Sequence, residues 1–397
     1  MIAQYKTTSY IEIIVLILLF MTPLFSFGEV LQLFLNSGIY SQREILTPFY
    51  IKAIKDLLVV ILFILIVRSI LISQKLNAYV ALCVPLVFII VTPIFTWSLL
   101  QQPLIAVSGI RWLMYFILGI LLIGYIRNDF MNNVAKMLYY LFLFHFLMQI
   151  LEFFFSANIH GYNFLGYSRR NPGIFFIPNT GGFFTIMVAF FAFFYLKDKT
   201  KQMVIFYLVP FSVFFTASGT ALAVYIASLI FVCTTKKYRK VLPILFPLII
   251  LLTIPSLEVL GRGTDLVGTS FGIRVKIFSD LLSTTDFFSK QFGAATQTAV
   301  LMSANMGMSG NTFFTDSTYG AILANIGTVG FTIFVLCQLL WMYWAYKMNN
   351  NAILIFTLIY TCYGLTTSIT EAFPMNILFS ILLANYIPIL LNYVRRK

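Results

Sequence analysis

The chain has 397 residues, of which 60% are hydrophobic and only 10% are charged, whereas a soluble domain is typically about 25% charged. So much apolar surface cannot be buried in water, and we predict an all-α, polytopic membrane protein. The net charge of +13 does not indicate nucleic acid as a partner, because the basic residues stand in short clusters between apolar runs. The scattered cysteines, without a CxxC pair, indicate neither a disulfide framework nor a metal site. The sequence has no HExxH, Walker or GxGxxG pattern, so no cofactor is predicted.

A helix needs about 20 apolar residues to cross the hydrocarbon layer, and about twelve runs in the chain approach this length. The whole chain, 1–397, is therefore expected to form a single integral membrane domain. The predicted spans are 10–27, 53–72, 76–95, 109–126, 137–156, 175–196, 203–218, 219–235, 241–258, 319–346, 351–370 and 374–392.

The basic clusters fall on alternate connections, which predicts their side as cytoplasmic by the positive-inside rule. Both termini are then cytoplasmic as well. A large loop at 258–318 and a shorter loop at 156–174 face outward. A single turn near Gly219 must separate two of the spans for this topology to hold.

The large loop is the longest polar stretch of the chain, and it carries Arg262 and Arg274. Apolar residues between 271 and 290 recur at helical spacing, so part of this loop is predicted to be an amphipathic helix at the interface. We expect the loop to close over a membrane-embedded site where its arginines bind phosphate. The alternative is a solvated connector whose cations touch lipid headgroups.

The shorter loop ends with Arg169 and Arg170, directly before a predicted span. The planar guanidinium group suits bidentate binding of phosphate. Small residues at the start of the span, Gly181 and Gly182 among them, would let backbone amides approach an anion. The alternative is an ordinary helix entry with arginines that bind headgroups.

His145, Gln149 and Glu152 follow one another at i, i+4 and i+7 and therefore share one helical face. Polar groups at membrane depth usually face a cavity or a partner, so these three are candidates for lining a substrate cavity. The alternative is a hydrogen-bonded link to a neighbouring helix. Arg111, near an outer boundary, could join a cationic site or extend toward the interface.

Several of these motifs occur in an order that resembles the Wzy-type O-antigen polymerases, within the O-antigen polymerase and ligase superfamily. Arg170 is followed after ten residues by Gly181, as in that family's arginine–ten–glycine loop. The related arginine–fifteen–glycine pattern is not met, since eighteen residues separate Arg274 from Gly293. Three further stretches are similar to segments of the superfamily: Ala217–Ala221, Gly272–Arg274 followed by Phe292–Gly293, and Asp316–Tyr319 followed by Leu323–Gly330.

The resemblance implies a metal-independent membrane glycosyltransferase in the bacterial inner membrane. It would polymerise undecaprenyl-diphosphate-linked repeat units into O-antigen or a related polysaccharide. The donor and the acceptor would both be glycans linked to undecaprenyl diphosphate, and a chain-length regulator protein is a possible partner. Arg170, Arg169, Arg274 and Arg262 would bind the diphosphate, which requires Arg170 and Arg274 to meet in one pocket.

A general base would activate the acceptor hydroxyl. Asp316 is the first candidate and His160 a weaker one, although Asp316 could instead be the N-cap of the next helix. Two alternative functions remain open. An O-antigen ligase is disfavoured because the large loop has no histidine, and a lipid-linked oligosaccharide flippase is disfavoured by the size of that loop.

Overall fold

The computed structural model describes fourteen ranges of the chain, which contain all the residues discussed below unless stated. They are 2–28, 30–31, 47–73, 91–92, 94–100, 102–126, 128–155, 160–164, 167–169, 171–175, 177–234, 270–289, 292–296 and 317–395. The predicted span 241–258 and most of the span 76–95 lie outside the described residues.

The described residues form α-helices, a short 3-10 helix at Thr22–Ser26 and one β-hairpin. The helices are α1 Ile2–Phe20, α2 Phe49–Ser73, α3 Pro103–Leu121, α4 Asn128–Phe155, α5 Pro178–Tyr195, α6 Lys199–Thr216, α7 Gly219–Thr234, α8 Ser270–Thr284, α9 Thr318–Ile326, α10 Thr328–Lys347, α11 Asn351–Gly364 and α12 Met375–Arg395. The hairpin pairs β1 His160–Phe164 with β2 Tyr167–Arg169 and lies within the shorter loop of the sequence prediction.

Five of the described helices are long and apolar enough to cross a membrane. They are α3, α4, α5, α10 and α12. Shorter apolar helices are found at Ser9–Phe20, Gly219–Val232 and Asn351–Gly364. The predicted α-helical membrane protein is therefore confirmed at this level.

Five predicted spans coincide with helices to within a few residues, and these helices are α2, α5, α6, α7 and α12. The predicted separation near Gly219 is also found. Only Ala217 and Ser218 stand between α6 and α7, and Ala217 adopts a left-handed conformation with φ 44° that ends α6.

The predicted span 319–346 is wrong as a single helix, because the chain breaks between α9 and α10 at Gly327. Gly327 has φ +97°, a conformation that favours glycine. A Cβ atom there would lie 2.6 Å from the carbonyl oxygen of Phe287. The break therefore accommodates the segment that follows α8, whose Ser289 N–H donates to Ile326 O at 3.3 Å.

The chain divides into two compact units, Met1–Leu65 with Arg127–Asp265 and Ile66–Ile126 with Leu266–Lys397. In the first unit α5 is central, since it packs against α4, α6 and α7, and 72% of its apolar stretch is buried. Its first residue is Pro178, a favourable position for proline because the N–H it lacks would have no helical partner.

In the second unit α3 packs along α12. The two helices approach closely at Gly119, where a Cβ atom would lie 3.1 Å from the Cα atom of Ser380. Ser380 Oγ donates a hydrogen bond to the carbonyl of Tyr115 at 2.6 Å. The amphipathic stretch predicted in the large loop forms α8, which packs against α9.

Candidate functional site

Three of the candidate site residues lie outside the described residues: Arg170, Arg262 and Asp316. The expected meeting of Arg170 and Arg274 therefore stays a prediction. The cap position of α9 is occupied by Ser317, whose hydroxyl accepts a hydrogen bond from Gly320 N–H at 3.3 Å. The N-cap role considered for Asp316 thus belongs to its neighbour.

The β-hairpin brings two other candidates together along the backbone. His160 in β1 and Arg169 in β2 are cross-strand partners in the antiparallel pair, and Phe164 pairs with Tyr167 nearer the turn. The arginine pair of the sequence thus begins at the end of a strand.

The polar face of α4 holds the segment that follows the arginine pair. Gln149 Nε2 donates to the carbonyl of Asn171 at 3.1 Å, and Gly173 N–H donates to Glu152 Oε2 at 2.8 Å. Ile174 N–H donates to His145 Nδ1 at 3.3 Å. The three α4 side chains are fully buried, and they link α4 to Asn171–Ile174.

A chain of hydrogen bonds continues from this face into α5 and α6. His145 Nδ1 accepts a hydrogen bond, so its ring proton is on Nε2, which lies 3.3 Å from Thr185 Oγ1. Ser212 Oγ donates to Gln149 Oε1 at 2.6 Å. Thr185 Oγ1 donates to the carbonyl of Gly181 at 3.0 Å and also lies 2.9 Å from Ser212 Oγ. The chain therefore connects α4, α5 and α6 through buried side chains.

Two glycines let the segment approach α4 and α5. Gly173 has φ +68°, and a Cβ atom there would lie 2.9 Å from the carbonyl oxygen of His145. At Gly181 a Cβ atom would lie 2.7 Å from the carbonyl oxygen of Pro172. Gly181 N–H is also bonded to Ile177 O at 3.1 Å. Close packing against Pro172 thus accounts for a glycine at position 181, and its predicted role in admitting an anion stays a prediction.

One atom of the α4 face has no hydrogen-bond partner within the described part of the chain. This atom is Glu152 Oε1, which is buried although Oε2 of the same carboxyl is bonded to Gly173 N–H. A buried polar oxygen is costly when it is left without a hydrogen bond. The Glu152 carboxyl is therefore the least satisfied group of the network.

In the second unit, a buried turn at 292–296 is held by small polar side chains. Asn325 Oδ1 accepts from Gly293 N–H at 3.0 Å and from Ala295 N–H at 3.2 Å. Ser108 Oγ lies 3.1 Å from the carbonyl of Gly293, and Phe292 N–H donates to Ser98 Oγ at 2.7 Å. The large loop of the sequence thus contains a turn fixed within this unit.

Gly293 allows this turn to touch α3. It has φ +94°, and a Cβ atom there would lie 2.7 Å from Gly109 N. Arg111, the cationic candidate of α3, is half-buried and precedes Trp112, which packs in the same cluster as Phe292. The second unit therefore places Arg111 on the helix that supports the turn.

Among the described residues, no group of three or more His, Cys, Asp or Glu side chains could hold a metal ion. Comparison of the chain with protein-family models, with curated proteins and with solved structures finds no match.

Sequence reasoning found the polar face of α4 through its helical spacing but missed the residues bonded to it. Thr185, Ser212 and Asn325 are each flanked on both sides by apolar residues. Hydroxyl and amide groups within apolar spans are a weak signal for such partners, because the sequence does not show which way they face.

Proposed function

We propose that the protein is a membrane glycosyltransferase that polymerises undecaprenyl-diphosphate-linked repeat units into O-antigen or a related surface polysaccharide. It would cross the bacterial inner membrane about twelve times, with both termini in the cytoplasm and the loops at 156–174 and 258–318 at the periplasmic face. The donor and the acceptor are both lipid-linked glycans, and a chain-length regulator is a possible partner.

One observation supports this proposal more than any other. The spacing from Arg170 to Gly181 resembles the polymerase loop pattern, and Gly181 packs against Pro172, two residues after the arginine. The glycine of the pattern and Pro172 therefore belong to one buried arrangement, and the glycine is needed for close approach. This gives the pattern a physical reason that a chance match would lack.

The reaction exchanges one bond at the anomeric carbon of the donor glycan. The hydroxyl oxygen of the acceptor sugar bonds to that carbon, and the bond from the carbon to the diphosphate oxygen breaks. The electron pair of the broken bond leaves with undecaprenyl diphosphate, whose developing negative charge is stabilised by fixed cations. We assign Arg170 and Arg169 to this role, with Arg274 and Arg262 as further phosphate-binding residues.

The proton of the acceptor hydroxyl passes to a general base. Asp316 is the proposed base because it stands where the large loop returns to a helix, and His160 is the second candidate. A base is tested by its pH profile, because replacing it should lower the rate more at neutral pH than at alkaline pH, where hydroxide replaces it.

The test is complementation of a deletion strain with Arg170→Ala, Arg170→Lys and Arg68→Ala. Arg68 is an exposed arginine of α2 on the predicted cytoplasmic side, and it serves as the matched control. We expect Arg170→Ala to abolish long glycan chains, Arg170→Lys to restore them partly, and Arg68→Ala to leave them intact. The measurement is the size distribution of surface glycan, with membrane insertion checked by immunoblot.

The intermediate that accumulates identifies the reaction. A failed polymerase leaves single repeats attached to the acceptor core, whereas a failed ligase leaves bare core and a failed flippase leaves repeats on the cytoplasmic face. A normal chain-length distribution in Arg170→Ala would contradict the proposal.

A further inference from the structure

The segment that follows the arginine pair is buried without belonging to a helix or a strand. Residues 171–175 are all buried. Such backbone cannot face lipid, because its N–H and C=O groups would lack partners there. Side chains of α4 supply those partners at three of the four positions from Asn171 to Ile174.

The bonds begin at the residue next to the arginine pair. The N–H of Asn171 belongs to the peptide bond that joins it to Arg170, and it donates to Phe215 O at 2.8 Å. The carbonyl of Asn171 accepts from Gln149. Consecutive Cα atoms are about 3.8 Å apart, so fixing Asn171 limits where the chain of the arginine pair can lie.

We propose that Glu152 is a positioning residue for the Arg169–Arg170 pair, which it fixes by accepting the hydrogen bond of Gly173 N–H. Gln149 and His145 act in the same way at Asn171 and Ile174. The ligand is the diphosphate group bound by the arginines, and in this respect the inference rests on the proposed function.

The bond to Gly173 needs one acceptor oxygen and no charge. Glu152 Oε2 supplies that oxygen, and Oε1 has no hydrogen-bond partner among the described residues. A glutamine at this position would present the same acceptor at the same reach. An aspartate would keep the charge but withdraw the acceptor by one methylene.

The experiment therefore compares Glu152→Gln with Glu152→Asp, two changes that preserve most of the side-chain volume. Each protein is purified in nanodiscs of zwitterionic lipid. Hydrogen exchange is measured on peptides that cover residues 171–175, and affinity is measured by titration with inorganic pyrophosphate. The loss of one buried hydrogen bond corresponds to about a tenfold change in either equilibrium.

We expect Glu152→Gln to match the wild type within about twofold, well below the tenfold effect of a lost bond. Glu152→Asp should exchange faster at Gly173 and Ile174 and bind pyrophosphate more weakly. If Glu152→Asp is normal and Glu152→Gln is impaired, the charge is what matters and the inference is overturned. It is equally overturned if the two variants behave alike.

The two readouts separate this inference from the proposed function. Wild-type protein that binds no pyrophosphate, with Arg170→Ala fully active, would contradict the proposed function whatever the exchange data show. Unchanged exchange in Glu152→Asp, with pyrophosphate binding lost in Arg170→Ala, would contradict only the positioning role of Glu152.

Discussion

The two units each bury an irregular segment, and they satisfy its backbone by different means. In the first unit, α4 holds Asn171–Ile174 with an imidazole, an amide and a carboxyl, and the carboxyl keeps one unpaired oxygen. In the second unit, the turn at 292–296 is held by serines and by the amide oxygen of Asn325. Both arrangements follow from the rule that buried backbone groups need partners.

The difference lies in which partners can change state. The second turn depends on uncharged groups and on Gly293, so it should respond to changes of volume. The first segment depends on an ionisable imidazole and an ionisable carboxyl together with an amide, and it is continuous with the arginine pair. We therefore expect substitutions in the second unit to affect mainly stability, and substitutions around α4 to affect mainly activity.

The largest effect is expected from Gly293→Ala. Its φ of +94° disfavours any side chain, and a Cβ atom would meet Gly109 N at 2.7 Å. The free energy of unfolding should fall by about 3 kcal/mol or more, measured through the thermal midpoint of the purified protein. Gly219→Ala is the control, because a Cβ atom there meets nothing within 4 Å. Equal stability of the two variants would remove the steric argument.

A smaller loss is expected from Asn325→Leu, which leaves the N–H groups of Gly293 and Ala295 without their acceptor. The free energy of unfolding should fall by about 2 to 4 kcal/mol. Asn132→Leu is the matched variant, because within the described part of the chain Asn132 Oδ1 accepts one backbone hydrogen bond, from the N–H of Lys197. A lower thermal midpoint for Asn132→Leu than for Asn325→Leu would contradict the expectation that losing two acceptor bonds costs more than losing one.

Gly181→Ala tests the first unit in the same way. Its Cβ atom would lie 2.7 Å from the carbonyl oxygen of Pro172, so the segment next to the arginine pair must shift. We expect the free energy of unfolding to fall by about 1 to 3 kcal/mol. We also expect Gly181→Ala to shorten the polymer more than Gly219→Ala does. Wild-type chain length in Gly181→Ala would mean that this packing does not affect the arginines.

The smallest effect is expected from Ser212→Ala, which removes the donor to Gln149 Oε1. Stability should fall by about 1 kcal/mol, read from the shift of the thermal midpoint. The control is Ser283→Ala, which changes an exposed serine of α8 whose hydroxyl donates to the carbonyl of Asp280 in its own helix. If both changes are neutral, the hydrogen-bond chain contributes nothing measurable to the fold.

Uninterrupted apolar runs predicted α5 and α12 well, because crossing a bilayer sets a length that sequence reveals directly. Helical spacing likewise predicted α8 and the shared face of His145, Gln149 and Glu152. The break at Gly327 was not predicted, since it depends on contact with Phe287, forty residues earlier. The partners Thr185, Ser212 and Asn325 were also missed, because a single polar residue in an apolar helix has no period that gives its direction.

The two-residue link between α6 and α7 has a practical consequence for mapping topology. A reporter inserted between Ala217 and Ser218 would lie directly between the ends of the two helices. Because the link is short, the position of the reporter would report the position of these helix ends. Its accessibility from the periplasm or the cytoplasm would then decide the orientation of this helix pair, and the outward placement of the Arg169–Arg170 loop could be checked against it.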